Sequence, residues 1–569
     1  MHFRVRCPNF VLPAALYLLG AAVFFRSQIF SNFDLVFGNR GDARFVVFIH
    51  EHIYRWLTGH DGLLTPPFFF NETETLGYSE VFLLDQIVYA PLRLLGAEPL
   101  LATSLVVVIL APFAFLFLYL FLRRLGVCVP LASFAALLFT FANNLYLKSG
   151  HLQHFAVYYL PVIVYCGVIA VNELHRRPIC AYLTGAFAAG VCGLLFSSGY
   201  YIAWFFGLSA LIFVPIAGPI AWPEVRVWWS KHPKRALTFG VVAILSFLSA
   251  LSIFAIIYAP VLKLGMSRSF GEYVSYAPRP YDILNVGMHN LIWSKPIRAL
   301  HLIDDDHLAN GERWIALTPG VQILMLSSVV LAFHRGFWAQ DSAGRISRAI
   351  VAGSASVCIL LFLLVVSVGT NSLFYILYAT VPGATAIRVG YRCMIVANLF
   401  AAIAIALTSE RIFSLSARQA RAWLRLGAPA VLSALLALAV VEQVNLMPAA
   451  GLSRQFEREH FAAVVQPPHE CQSFYVASQD RAAPYEVQLD GMMIALAQRL
   501  PTVNGWSGFF PRGWNLYDTN ASGYEQQVFA WASERGIVDG LCRVAVEGGT
   551  WRVVVASPTP ARPSSSPAP

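Results

Sequence analysis

Four short segments carry residue types able to do chemistry. In the first, residues 31–44, Asp34 and Asp42 stand eight apart, with Arg44 just beyond. A carboxylate held at Asp42, where a helical pattern begins, can take the proton of an acceptor hydroxyl as a general base. Asp at that position also caps helices routinely, and spacing leaves both readings open. The second segment, 148–154, has His151 and His154 three apart beside Lys148. Such a pair can bind a phosphate, orient a sugar hydroxyl, or simply sit at an interface with its hydrogen bonds satisfied. The third, 304–314, opens with three consecutive carboxylates, Asp304 to Asp306, read as a solvated acidic turn because adjacent side chains seldom converge on one ion. Glu312 and Arg313 follow, nearer the next apolar run. The fourth, 382–392, carries Arg388 and Arg392, which share a face if the segment is helical. Two guanidinium groups there make a clamp for a lipid phosphate or snorkel to headgroups. No metal-ligand spacing such as CxxC or HExxH occurs, and no metal or cofactor is expected.

The elements that must position these residues are set by composition. Of 569 residues 57% are apolar and only 12% charged, about half the charge of a soluble domain. The apolar residues fall in runs of spanning length near 10–26, 99–122, 129–146, 154–172, 179–196, 200–218, 236–260, 316–334, 348–368, 391–408 and 426–443. The expectation is an all-α polytopic membrane protein of about eleven transmembrane helices. Alternate short loops hold seventeen basic residues against four acidic ones, which by the positive-inside rule puts them and the N-terminus in the cytoplasm. This placement, rather than nucleic acid, accounts for the net charge of +9. Every chemically interesting segment then lies on the outer side, in loops 27–98 and 261–315 or at outer helix ends. The spans themselves are nearly free of ionisable residues, which argues against ion-coupled transport.

Within 45–57, Phe45, Phe48, Ile49, Ile53 and Trp56 recur at helical spacing opposite Arg44, Glu51 and Arg55, predicting an amphipathic helix in the membrane interface. From about 444 to 555 the chain reads as a small α/β domain outside the membrane, with a strand at 471–477, helices at 485–499 and 523–535, and a hairpin at 541–556. Cys471 and Cys542 lie at predicted strand starts, suggesting one disulfide. Residues 556–569, rich in Pro, Ser and Ala, are expected to be disordered.

Taken together, residues 1–443 resemble the polytopic GT-C glycosyltransferases, among them protein O-mannosyltransferases and the lipid A aminoarabinose and galacturonic acid transferases. The shared features are an N-in first span, a large acidic first outer loop, outer histidines, an acidic residue before a later span, and an outer C-terminal domain. The sequence is also similar to a group of bacterial membrane proteins in which Gly41-Asp42-x-Arg44, Gly150-His151-x-Gln153-His154 and a segment like 504–511 recur. The GT-C resemblance implies a polyprenyl-phosphate sugar as donor and a glycan, lipid or protein as acceptor, and the two resemblances together imply a bacterial inner membrane with the C-terminal domain periplasmic. They imply Asp42 as first and Asp34 as second choice for the acceptor-activating base. Arg44, His151, His154 and Glu312 would line the substrate cavity, and Arg388 and Arg392 would hold the carrier phosphate. Adjacent carboxylates, commoner in the family, are replaced here by two eight apart. A flippase for a lipid-linked sugar and a non-catalytic envelope-assembly protein are the competing readings, and the aromatic 504–511 segment would serve either as a sugar-stacking loop or as a packing turn.

Overall fold

The computed structural model describes residues 10–419, 421–448, 451–477, 483–537 and 539–554. Arg4, Arg6 and the tail 556–569 lie outside them. Among the described residues eight helices are long and apolar enough to cross a membrane. Three shorter apolar helices, Val11–Phe24, Pro319–Phe333 and Arg425–Val441, occupy the remaining predicted runs. The helix Pro99–Arg124 shows why the pattern folds this way. Proline opens its first turn, where no intrahelical N–H is lost, and Arg123 and Arg124 close it. Its 26 residues reach about 39 Å, more than a hydrocarbon core.

Cys393–Ser416 is the central helix, buried along nearly all of its apolar length, whereas Pro233–Lys263 lies at the periphery with almost none of its span covered. The latter presents Leu237, Ile244, Leu245 and Leu248 outward, tolerable where the surroundings are hydrocarbon. It packs on Pro178–Leu195 through a close approach: a Cβ on Gly193 would come within 2.6 Å of the Phe247 carbonyl oxygen. Small residues let membrane helices touch backbone to backbone.

On the side where the long loops gather, Leu35–Phe37 pairs antiparallel with Gly451–Ser453, Val36 opposite Leu452, so the first loop and the C-terminal region share a sheet. The C-terminal region carries a three-stranded sheet in the order Ser473–Val476, Leu541–Ala545, Thr550–Val553, the first pair parallel and the second antiparallel. Pro484–Gln498 and Tyr524–Glu534 are its main helices, and Cys471 and Cys542 are joined in a disulfide.

The helix Asp42–Leu57 corrects one expectation. Residues 43–50, 52 and 53 are buried, Arg44, His50 and His52 on its polar face among them, so protein covers both faces of the helix and it does not lie on the membrane surface. It is sandwiched between the helices Gln86–Leu94 and Pro99–Arg124 and the C-terminal helix Pro484–Gln498. Its polar residues face protein: Glu51 accepts from Tyr89 Oη and Arg93 Nε at 2.7 and 2.8 Å, and Arg55 pairs with Asp61 at 2.7 Å.

Candidate functional site

Asp42 opens that helix, yet its carboxylate does not cap it. The Asn39 side chain accepts from the backbone N–H groups of Gly41 and Asp42 at 2.9 and 2.8 Å, which leaves the Asp42 carboxylate free to point away. It meets Nδ1 of His151. His151 sits in the turn after Asn143–Leu147, its backbone N–H donating to the Lys148 carbonyl at 2.8 Å. Its other ring nitrogen, Nε2, faces Glu312 at 3.0 Å. An imidazole between two carboxylates donates from both nitrogens, which is the charged form. Glu312 is held in turn by Lys148 Nζ at 3.0 Å, which also donates to the Gly311 carbonyl at 2.8 Å. Arg392 Nη2 reaches the same carboxylate at 3.3 Å, its guanidinium 5.3 Å from the centre of the Tyr201 ring. Four segments far apart in sequence thus meet in one charged chain, Asp42–His151–Glu312–Lys148/Arg392. Asp42, Glu312 and His151 keep 32%, 25% and 22% of their side-chain surface exposed, so the chain is reachable from outside.

The electrostatics follow from this packing. Burial alone would raise the Asp42 carboxyl, but the hydrogen bond and charge of His151, with the charge of Arg392, hold its pKa below the ordinary value. Burial would lower His151, and its bonds to Asp42 and Glu312 instead hold it above. Glu312 is likewise brought well below the carboxylate range, burial being outweighed by His151, Arg392 and Lys148. Lys148 is pulled down to about 8 by burial, against the charge of Glu312.

Two members of this cluster were absent from the predicted site. Lys148 was legible, being one of two basic residues on the short outer loops, but its burial was not. Glu80 had no signal at all. It lies near the start of the helix Tyr200–Lys231, close enough to feel Arg392 and Asp42, and burial raises it to about 7. His154 lies beside His151, ring centres 5.6 Å apart. It is 1% exposed, and neither ring nitrogen has a hydrogen-bond partner among the described residues.

Other predicted site residues are placed elsewhere. Both Asp34 oxygens are engaged, accepting from Ser453 Oγ at 2.7 Å and the Gln455 N–H at 2.8 Å, so Asp34 anchors the helix Arg454–Phe461. Arg44 is fully buried and therefore not a substrate ligand. Its Nε and Nη2 donate to Glu457 and its Nη1 to Asp490, all at 2.7 Å. Arg388 and Arg392 do not share a helix face, because the helix starts only at Cys393. Arg388 lies ahead of it, 3.7 Å from Glu272 and 5.1 Å from the centre of the Tyr276 ring. Asp304 caps the short helix Asp305–Ala309, in keeping with a solvated turn. The 504–511 segment packs as a tight turn and also carries an aromatic ring at the Asp42 end. Gly505 packs so tightly that a Cβ would meet the Phe69 ring at 2.3 Å. Trp506 stands 5.8 Å from both Tyr485 and Tyr517, with the Tyr485 ring against Gly41. Among the described residues no group of three or more His, Cys, Asp and Glu is arranged to hold a metal ion.

No protein-family model and no curated protein sequence matches the chain. Among solved structures, the archaeal oligosaccharyltransferase AglB from Archaeoglobus fulgidus, in complex with an inhibitory peptide and a dolichol-phosphate, is similar at a TM-score of 0.50 and 12% identity, over 95% of this chain and 70% of that one. The apo form of an Archaeoglobus fulgidus oligosaccharyltransferase gives a TM-score of 0.47 at 11% identity, over 94% and 69%. At such identity the likeness is one of fold: this chain has the GT-C architecture of AglB.

Proposed function

We propose that the protein is an inverting membrane glycosyltransferase that moves a sugar from a polyprenyl-phosphate carrier to a glycan, lipid or protein acceptor. The setting is a bacterial inner membrane spanned eleven times, with the site and C-terminal domain on the periplasmic face. The observation that carries this reading is the chain Asp42–His151–Glu312 with Lys148 and Arg392 on its far carboxylate. It offers an ionised base and, a few ångströms on, two cations for a departing phosphate. A GT-C fold that in AglB holds a dolichol-phosphate and a peptide supports a lipid-phosphate donor and an acceptor bound together.

In this mechanism the acceptor oxygen attacks the anomeric carbon as the bond to the carrier phosphate breaks, and the electron pair stays on the phosphate. Asp42 takes the acceptor proton. His151, charged, holds Asp42 ionised and aimed. The transition state is oxocarbenium-like, as in glycoside hydrolysis. A phosphate monoester has a second pKa of about 6, so the leaving group needs no separate acid near neutral pH. Lys148 and Arg392 stabilise the charge it gains.

The test is transfer from a panel of polyprenyl-phosphate sugars to envelope extract by the purified protein in lipid. Asp42→Asn is expected to lose roughly 10²–10⁴-fold in kcat while still binding carrier, and Asp34→Asn to retain transfer. Carrier binding without transfer in the wild type would move the assignment to a flippase or an assembly protein, and transfer untouched by Asp42→Asn would overturn Asp42 as the base.

A further inference from the structure

The opposite end of the bundle holds a second feature that the transferase reading does not use. A cavity of about 310 Å³ opens between the far half of the helix Tyr200–Lys231 and the link joining Pro319–Phe333 to Ser342–Val365. Pro219, Ile220, Arg335, Trp338, Arg345 and Arg348 line it. Its distance from the site follows from the central helix. Arg392 opens that helix at the site, and Arg411, near its other end, donates to the Phe337 carbonyl at 2.7 Å beside the cavity. Nineteen residues at 1.5 Å each put the two about 28 Å apart, a bilayer core's thickness.

Three guanidinium groups line this cavity, and one of them is paired with a carboxylate. Arg345 Nε donates to Glu224 at 2.6 Å. Arg348 Nε donates to the Ala332 carbonyl at 2.9 Å, and among the described residues neither Arg348 nor Arg335 has a carboxylate within ion-pair reach. Two forks designed for planar oxyanions are therefore left with positive charge uncompensated, at the rim of an open volume. The lining itself is mixed, three arginines and Gln340 with Pro219, Ile220, Trp338 and Ala339. The helix faces beside it are apolar: Leu211 and Val214 on the one and Val330 and Phe333 on the other point outward with more than half their surface uncovered. A soluble anion needs no such flanking faces, whereas acyl chains do. The volume equals roughly ten waters, room for a phosphate ester with a small polar substituent.

We propose that this cavity binds the phosphate of an anionic phospholipid from the leaflet opposite the Asp42 site, with Arg335 and Arg348 as its charge partners and the acyl chains lying on the flanking helices. Basic pockets between membrane helices suit this chemistry. Nothing in the inference depends on the transferase activity.

The experiment uses the full chain, stripped of lipid in an uncharged detergent. Dioleoyl phosphatidylglycerol or dioleoyl phosphatidylcholine is titrated in, and bound lipid is read by native mass spectrometry. Phosphatidylglycerol is expected to bind in preference, and Arg335→Gln to weaken it about fivefold, the double variant Arg335→Gln/Arg348→Gln further. Arg124→Gln, a charge-matched change elsewhere, should leave it unaltered. Because Arg348 also holds a helix end, the Arg335 single variant keeps the test independent of folding. Equal retention of the two lipids, or phosphatidylglycerol binding unchanged in Arg335→Gln, would overturn the proposal. So would displacement of phosphatidylglycerol by equimolar inorganic phosphate, which would assign the cavity to a soluble anion.

Discussion

At the scale of single residues, the cluster makes its own pH predictions. The Asp42 carboxyl is held down by His151 against a burial that pushes it up. A depressed acid stays ionised as pH falls, so the acid limb of kcat/KM, which reports the free enzyme, should lie below the usual carboxylate range. His151→Ala removes the hydrogen bond and charge while much of the burial remains. The acid limb should then move to higher pH, with the plateau lowered by loss of aim. A limb that stays put while the plateau falls would reduce His151 to a packing role. On the alkaline side Lys148, brought to about 8 by burial, loses its charge as pH rises through that value. Donor kcat/KM should decline there, and in Lys148→Met the decline should vanish from an already low plateau. Of the residues foreseen from sequence, Asp42, His151, Glu312 and Arg392 meet in space and Asp34, Arg44 and Arg388 do not. Residue type showed which side chains can carry charge, but not which would be consumed by other carboxylates. Arg44 and Arg392 look alike in sequence; one meets Glu457 and Asp490, the other Glu312.

At the scale of elements, the helix Asp42–Leu57 transmits the C-terminal domain's position to the base. Two residues after Asp42, Arg44 is bound to Glu457 and Asp490 with no exposed surface, and His460 adds a contact to Asp490 at 3.1 Å. Removing one partner of a buried ion pair strands the others, at a cost of about 3–5 kcal/mol. Arg44→Ala should therefore loosen the docking of residues 451–554, seen as faster proteolysis there and a lower thermal midpoint. Arg44→Met together with Glu457→Gln, which removes charge from both sides, should recover part of the loss. A midpoint unchanged in Arg44→Ala would mean that the domain is held elsewhere. The periodicity of 45–57 announced this helix correctly and its surroundings wrongly. A stripe of apolar residues says that one face is covered, and nothing about what lies against the polar one. The helices Pro484–Gln498 and Tyr524–Glu534 and the hairpin from Leu541 were legible to within a few residues, whereas the strand Gly451–Ser453 and the helix Arg454–Phe461 were not, because they form against the first loop. Glu80 was not, since its place at a helix N-terminus depends on a chain reversal more than a hundred residues away.

At the scale of the whole molecule, the apolar runs were readable because hydrocarbon permits so few backbones: a run of spanning length becomes a helix or nothing. What sequence order could not give was which runs are neighbours, and hence that residues 42, 151, 312 and 392, all placed at one end by the loop charges, would meet in one cluster. On the orientation proposed from the charge bias of the loops that end is the outer one, and the architecture supplies a direct check. The helices Tyr200–Lys231 and Pro233–Lys263 are separated by His232 alone, so Lys231 marks the tip where the chain turns back, at the end carrying the arginines. Asp305, exposed beside the site loop, marks the other. About 46 Å of helix separates such a tip from the far end of its 31-residue partner, too far for both to be reached from one side of a sealed membrane. A cysteine at Asp305 should react with a membrane-impermeant maleimide in intact cells or right-side-out vesicles, and one at Lys231 only in inverted ones. The six free cysteines among the described residues are buried or half-buried; with Cys7, which lies outside them, replaced by serine, the parent protein sets the background. Labelling of Lys231→Cys from outside would invert the assignment and put Asp42 on the cytoplasmic face. Labelling of both from one side would break the bundle's alternation, and with it the eleven-span topology on which the periplasmic site rests.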